Sequence, residues 1–382
     1  MAALDGLKII DLTHMVAGPL CTMLLADLGA DVVKIEPAHG DTSRHLGEPI
    51  AGEDTDYFLA YNRNKRSIVL DLKNAGDLEM LRQMIDGADM VVENFRAGTM
   101  ERLGIGYDLL RQTNPGLIYC SVSGYGPESE VAHRPAVDPV IQALSGIMQL
   151  TGSPESGPLK TGFPLGDYVA PLFATIGVLS ALRERDRTGT GQRVDISMFE
   201  AMVFSLLPRE GTFFAKGREP VLRGNAHGQM VPANSYFTSD GRQIYVFIHS
   251  DKFWGSLTDM LGVEELKGGA FATNAMRITR REEVDRLIAG AFAAHPLDYW
   301  NERIDRFSVP AGAIRTFPEV FADPLVHDHM IESFQHRSGE PVHLLRSPIR
   351  LDGAHPAIRR PPPVLGEHQS EILQELMGRL HP

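Results

Sequence analysis

Cysteine and tryptophan are scarce in this chain, two of each in 382 residues, and aromatic residues make up only 7%. Two cysteines, Cys21 and Cys120, cannot build a disulfide framework, and no Cys/His cluster has metal-ligand spacing, so no metal site is expected. Positive charge is also in deficit. Lys+Arg number 37 against 49 Asp+Glu, a net charge of −12, which argues against a protein that neutralises nucleic-acid phosphates over a broad face. Long apolar runs are missing as well: the longest, Tyr168 to Leu182, is shorter than the roughly 18 residues a membrane span needs. The first five residues lack the basic start and apolar centre of a signal peptide. No nucleic-acid or membrane partner is therefore expected, and the chain reads as cytoplasmic. P-loop, G-x-S-x-G and H-E-x-x-H motifs are absent too.

What is present is an alternation of strand and helix signals. Apolar stretches at Leu7–Leu12, Asp31–Glu36, Ser67–Leu72, Asp89–Glu93 and Leu117–Val122 are separated by helix-like segments, the pattern of βαβ units and a parallel sheet. Helices are expected over Leu20–Leu28, between the third and fourth strands, over Asp138–Leu150, and after Asp167, where Val169, Leu172, Phe173, Ile176 and Leu179 share one face. A strand at Val194–Ile196 and a helix at Glu200–Leu207 follow. Mixed charge and glycine mark 206–228 as a linker. A second αβ region occupies 229–327, and a terminal helix covers Ser370–Leu380.

Three places could carry chemistry. The first βα turn, His14-Met-Val-Ala-Gly-Pro19, lies where an open parallel sheet binds ligands, at a helix N-terminus that favours anions. Glu36 resembles the ribose-binding acid of a dinucleotide fold, but G-x-G-x-x-G is missing, which disfavours NAD. The run Asn62-Arg-Asn-Lys-Arg-Ser67 puts Lys65 and Arg66 before a strand, as a solvated face or a phosphate contact. Lys73, and then Asn94, Phe95 and Arg102, follow strand ends. Asp167, in Gly166-Asp167 before an apolar helix, is either an N-cap or a carboxylate nucleophile able to attack a thioester.

These stretches, taken in order, resemble the class III coenzyme A transferases, the superfamily of formyl-CoA transferase, carnitine CoA-transferase and 2-methylacyl-CoA racemase. The similarity runs from Leu4-Asp-Gly-Leu-Lys-Ile-Ile-Asp-Leu-Thr-His14 through Ala17-Gly-Pro19, Leu28-Gly-Ala-Asp-Val-Val-Lys-Ile-Glu36 and Asn62–Lys73. It continues through Val91-Val-Glu-Asn-Phe95, Gly124-Tyr-Gly-Pro127, Arg134-Pro-Ala-Val-Asp138 and Thr188-Gly-Thr-Gly-Gln192 to Pro363-Val-Leu-Gly-Glu-His368.

The resemblance implies an α/β fold: a Rossmann-like parallel-sheet large domain (1–205 and 328–382), a smaller α/β domain, and an interlocked homodimer. It implies Asp167 as nucleophile, an acyl-CoA and a small carboxylic acid as substrates, and no permanently bound cofactor. It implies CoA contacts at His14, Val16, Ala17, Lys65, Arg66, Leu70, Lys73, Asn94, Phe95, Arg102, Arg134 and Asp138. Pro37 stands where formyl-CoA transferases carry Arg, so Arg44 or Lys65 would have to replace that contact. Racemases carry His where this chain has Val137 and Glu near Ser250, so α-proton exchange is poorly supported. Asn225-Ala-His-Gly-Gln229 has one glycine where formyl-CoA transferase has several, which points away from formate or oxalate and towards short dicarboxylates. A non-catalytic acyl-CoA-binding protein would keep the same pocket without needing Asp167.

Overall fold

Six short stretches of aliphatic and β-branched residues pair into one sheet: β1 (Lys8–Leu12), β2 (Asp31–Glu36), β3 (Lys65–Val69), β4 (Met90–Glu93), β5 (Ile118–Ser123) and β6 (Arg193–Ser197). The computed structural model describes residues 2–380. Every neighbouring pair is parallel, and the order is β6-β5-β4-β1-β2-β3. This is the doubly wound dinucleotide-fold order, which reverses between β1 and β4; ligands of such sheets bind at that switch point, beyond the strands' carboxyl ends. The helices that position the site are α1 (Ala17–Asp27), α2 (Ala75–Asp86), α3 (Asp138–Leu144), α4 (Leu165–Thr188) and α5 (Met198–Phe204). The expected Rossmann-like sheet is present.

The chain forms two compact units. The larger comprises the described residues of Met1–Ile147, Lys160–Gly211 and Pro324–Pro382; the smaller is Met148–Leu159 with Thr212–Asp323. On one side of the large sheet, Ile10, Val33, Ile68, Leu81, Ile85 and Val91 form a core that also takes Ile372 and Leu376 from the C-terminal helix Gln369–Leu380. Within the smaller unit, strands Ala233–Phe237, Gln243–Phe247 and Ala311–Ala313 form an antiparallel sheet. Its core centres on Trp254, Phe292 and Trp300.

Three expectations change. The stretch expected as a linker holds a helix, Glu210–Lys216. The segment 148–159 groups with the smaller unit, where the Gly152 carbonyl accepts the Gly224 N–H at 2.7 Å. The apolar run after Asp167 belongs to a helix of 24 residues, long and apolar enough by length and composition to cross a bilayer. Here α4 packs on α1, α5 and the sheet. Its inner face consists of small residues, Gly166, Ala170, Ala174, Val178 and Ala181, so the helix sits close to its neighbours. It stops at Gly189, whose φ of 75° is a left-handed C-cap.

Candidate active site

The sheet's switch point opens into a cleft of about 800 Å³. The turn after β1 supplies His14, Met15, Val16 and Ala17; the turn after β4 supplies Asn94, Phe95 and Arg96. Arg134 and Asp138 line the far wall with Lys160, Phe163 and Asp167. Two loops flanking the strand-order reversal thus meet side chains delivered by α3 and α4. The two turns are tied directly: Asn94 Oδ1 accepts the His14 N–H at 2.9 Å and Asn94 Nδ2 donates to the His14 carbonyl at 2.9 Å. Gly18 is required by close approach, because a Cβ there would lie 2.4 Å from Thr13 Cβ. The His14 ring lies 5.7 Å from that of Phe95, and burial pushes its pKa down, so the imidazole is neutral at pH 7.

Asp167 is the third residue of α4, not its cap. The helix begins at Leu165 after Pro164, with no side-chain cap. The Asp167 carboxyl has no hydrogen-bond partner among the described residues. Pro171, inside the helix, offers no N–H to the Asp167 carbonyl, which loosens this first turn. Burial and then the neighbouring Asp138 charge raise the Asp167 pKa to about 7. Asp138, in contrast, is fixed: Oδ1 accepts the Gly166 N–H at 2.7 Å and Oδ2 accepts Gln142 Nε2 at 2.7 Å. Gln142 is fully buried, and its Oε1 takes the Thr161 N–H at 2.9 Å. That bond fixes the amide orientation and leaves Asp138 only an acceptor's place. The result is one pinned carboxylate and one unpartnered carboxyl that titrates near neutrality.

Removing the Asp138 charge should therefore lower the Asp167 midpoint. A carbon-13 titration of the Asp167 carboxyl is expected to give a midpoint near 7 in the parent chain and a lower one in Asp138→Asn. An unchanged midpoint would mean that Asp138 does not act electrostatically on Asp167.

The cleft gathers His14, Val16, Ala17, Asn94, Phe95, Arg134, Asp138 and Asp167 of the residues expected from sequence. Arg102 is exposed beside it, donating to Thr99 Oγ1 at 2.8 Å. Lys73 is exposed and lies outside the cleft lining.

Four expected contacts are corrected. Lys65 is not in a loop before the strand; it opens β3, has no solvent exposure, and pairs with Asp11 at 2.9 Å. Arg66 is 2% exposed and bridges Asp31, Glu371 and Glu375. Leu70 is enclosed in the sheet's core. Arg44 is held by Glu36 and Asp54 at 2.8 and 2.9 Å and cannot stand in for the missing arginine. A cation committed to buried carboxylates is not free to meet a phosphate. The exposed cations lining the cleft are instead Arg96, Arg134 and Lys160. Arg96 and Lys160 were missed from sequence, although Arg96 directly follows Asn94-Phe95. Glu36 is 1% exposed and bound to Arg44 and Ser67, so no ribose can reach it, which removes the main support for a dinucleotide site.

An open α/β sheet with a switch-point cleft, a carboxyl of raised pKa at a helix start and no glycine-rich phosphate loop does not fit a nicotinamide dehydrogenase. The chain belongs to CoA-transferase family III, which it matches over residues 4–369. The succinyl-CoA:mesaconate CoA-transferase of Haloarcula hispanica is 36% identical over 98% of this chain and 96% of its own length. The human succinyl-CoA:glutarate CoA-transferase is 31% identical over 98% of this chain and 86% of its own. The crystal structure of a CAIB/BAIF family protein from Brucella suis superposes with a TM-score of 0.89, at 37% identity and over 98% and 99% of the two chains. The enzyme is a CoA-transferase, moving CoA from an acyl thioester to a carboxylic acid.

Proposed function

We propose that the enzyme passes CoA from succinyl-CoA to a second dicarboxylic acid of four or five carbons through covalent intermediates on Asp167. The observation that carries this reading is the unpartnered Asp167 carboxyl on the cleft wall, with its pKa raised to about 7. Its ionised form attacks the donor's thioester carbonyl: a C–O bond forms, the C–S bond breaks, and CoA leaves as thiolate. The thiolate attacks the aspartyl carbonyl of the mixed anhydride, releases the donor acid and leaves an aspartyl-CoA thioester. The acceptor carboxylate displaces the thiolate, and the thiolate then takes the acceptor's acyl group and regenerates Asp167. Each step exchanges an acyl bond, so no oxidant or ATP is consumed. CoA lies along the turn His14–Ala17 and Asn94–Phe95. Arg96, Arg134 and Lys160 are the cations that can meet its phosphates.

The succinyl donor is suggested by relatives named for succinyl-CoA with mesaconate or glutarate. A racemase reading is not favoured, since the cleft residue beside Asp138 is Val137, which cannot carry a proton. A homodimer fits the outer face of α3, α4 and α5. There Val140, Leu144, Leu172, Ile176 and Phe204 are all more than 40% exposed, an apolar surface of the kind that a partner covers.

The donor–acceptor pair is read by mass spectrometry of the acyl-CoA pool. Succinyl-CoA with C4 and C5 dicarboxylates should give new thioesters, while formate and oxalate should give little. Transfer confined to formate or oxalate would overturn the substrate assignment.

A further inference from the structure

The turn that lines the cleft after β1 is held in an unfavourable backbone conformation by buried charges. Met15 has a φ of 66°, a region that side chains other than glycine and asparagine seldom occupy. Such a conformation persists only where the surroundings over-determine it, and it clusters at ligand sites. Here three grips surround it. Asp41 Oδ1 accepts the Met15 N–H at 3.1 Å and the Ser43 N–H at 2.8 Å. Asp41 Oδ2 pairs with Lys34 Nζ at 2.8 Å, and the same ammonium donates to the Thr13 carbonyl at 2.8 Å. Asn94 clasps both backbone groups of His14. Lys34 is 0% and Asp41 3% exposed, so neither can meet CoA itself.

We infer that Asp41, through Lys34 and the Met15 N–H, is a positioning residue that holds the His14–Ala17 turn in its CoA-accepting shape. The inference rests on the reading that CoA lies along this turn. It makes the turn preorganised: the cost of the left-handed residue is met on folding, not on binding. The geometry also says why an amide cannot serve. An asparagine at 41 either keeps its oxygen on the Met15 and Ser43 N–H groups and points its NH₂ at the Lys34 ammonium, or turns over and loses both N–H groups.

Two measurements on the full chain separate the clamp from the CoA seat. Hydrogen–deuterium exchange of the peptide spanning residues 12–18, without ligand, reports the clamp; titration calorimetry with coenzyme A reports the seat. In Asp41→Asn, exchange is expected to rise about tenfold or more and Kd for CoA to weaken about tenfold, with kcat at saturating donor within about threefold of the parent. Met15→Gly removes the side-chain strain at positive φ, so in the Asp41→Asn background it should restore Kd to within about threefold of Met15→Gly alone. A merely structural role of Asp41 would not be rescued by a glycine at 15, and absence of rescue overturns the clamp. So does exchange that stays at the parent rate. Faster exchange with unchanged Kd overturns the placement of CoA on this turn instead. Should Asp41→Asn not fold, Asp41→Glu keeps the charge facing Lys34 while displacing the acceptor, and the same two outcomes apply.

Discussion

Asp167→Ala is expected to bind CoA within a few-fold of the parent affinity and yet lose kcat by on the order of 10⁴-fold or more, the scale on which removal of a covalent nucleophile acts. Acyl exchange between succinyl-CoA and free acids measures the loss, and calorimetry the retained binding. Hydroxylamine added with succinyl-CoA should capture a hydroxamate at Asp167 in the parent chain and none in the variant. Turnover near the parent rate would sink the covalent mechanism and leave an acyl-CoA-binding role for the cleft. The carboxyl attacks only when ionised, so transfer should rise with pH through about 7, the raised midpoint of Asp167. Stability should move the other way. A carboxyl whose folded pKa lies above its unfolded value of ~3.9 is bound to its proton more tightly in the native state, so its ionisation destabilises the fold as pH rises from about 4 to 7. Asp167→Ala should therefore raise the melting temperature at pH 8 and make little difference at pH 4. A nucleophile kept in an unfavourable setting trades stability for reactivity in this way.

The second large effect lies between strands β1 and β3 of the sheet. Asp11 has no solvent exposure, pairs with Lys65 at 2.9 Å, and holds Thr13 by its N–H at 2.9 Å. Burial alone would lift the Asp11 pKa, but Lys65 and Lys34 outweigh it and hold the carboxyl below its ordinary value. Burial also drives Lys65 down to about 8, against the pull of Asp11. Removing the carboxylate strands a buried ammonium, a loss of about 3–5 kcal/mol. Asp11→Ala is expected to lower the melting temperature by on the order of 10 °C. Asp11→Leu with Lys65→Met, which removes both charges, should recover most of that loss. A single variant that melts with the parent would show that the pair contributes nothing to stability.

The order of strands and helices was legible because apolar periodicity is local: DVVKIE at Asp31–Glu36 was read to the residue. The ordered family stretches carried the enzyme class, and the switch-point rule carried the two turns that line the cleft. The sequence failed where charge met burial. Lys65 and Arg66 look like a solvated cationic run, but both are buried in the fold, Lys65 on Asp11 and Arg66 on Asp31 and on Glu371 and Glu375 of the C-terminal helix. No periodicity reveals that, because their partners lie more than thirty residues away.

In sequence the run at Lys65 and Arg66 reads as a solvated face or a phosphate contact, but a cation's availability depends on which carboxylate the fold sets beside it. Composition and pattern by themselves determined an α/β chain with a parallel sheet and left Asp167 open between an N-cap and a nucleophile; the family resemblance made Asp167 and the His14–Ala17 turn site candidates. Only the tertiary structure decided which charges face the cleft, which carboxylate is pinned and which left unpartnered, and that Met15 is held in a left-handed turn. Helix and strand preferences are set by neighbours in sequence, whereas protonation, strain and access are set by neighbours in space.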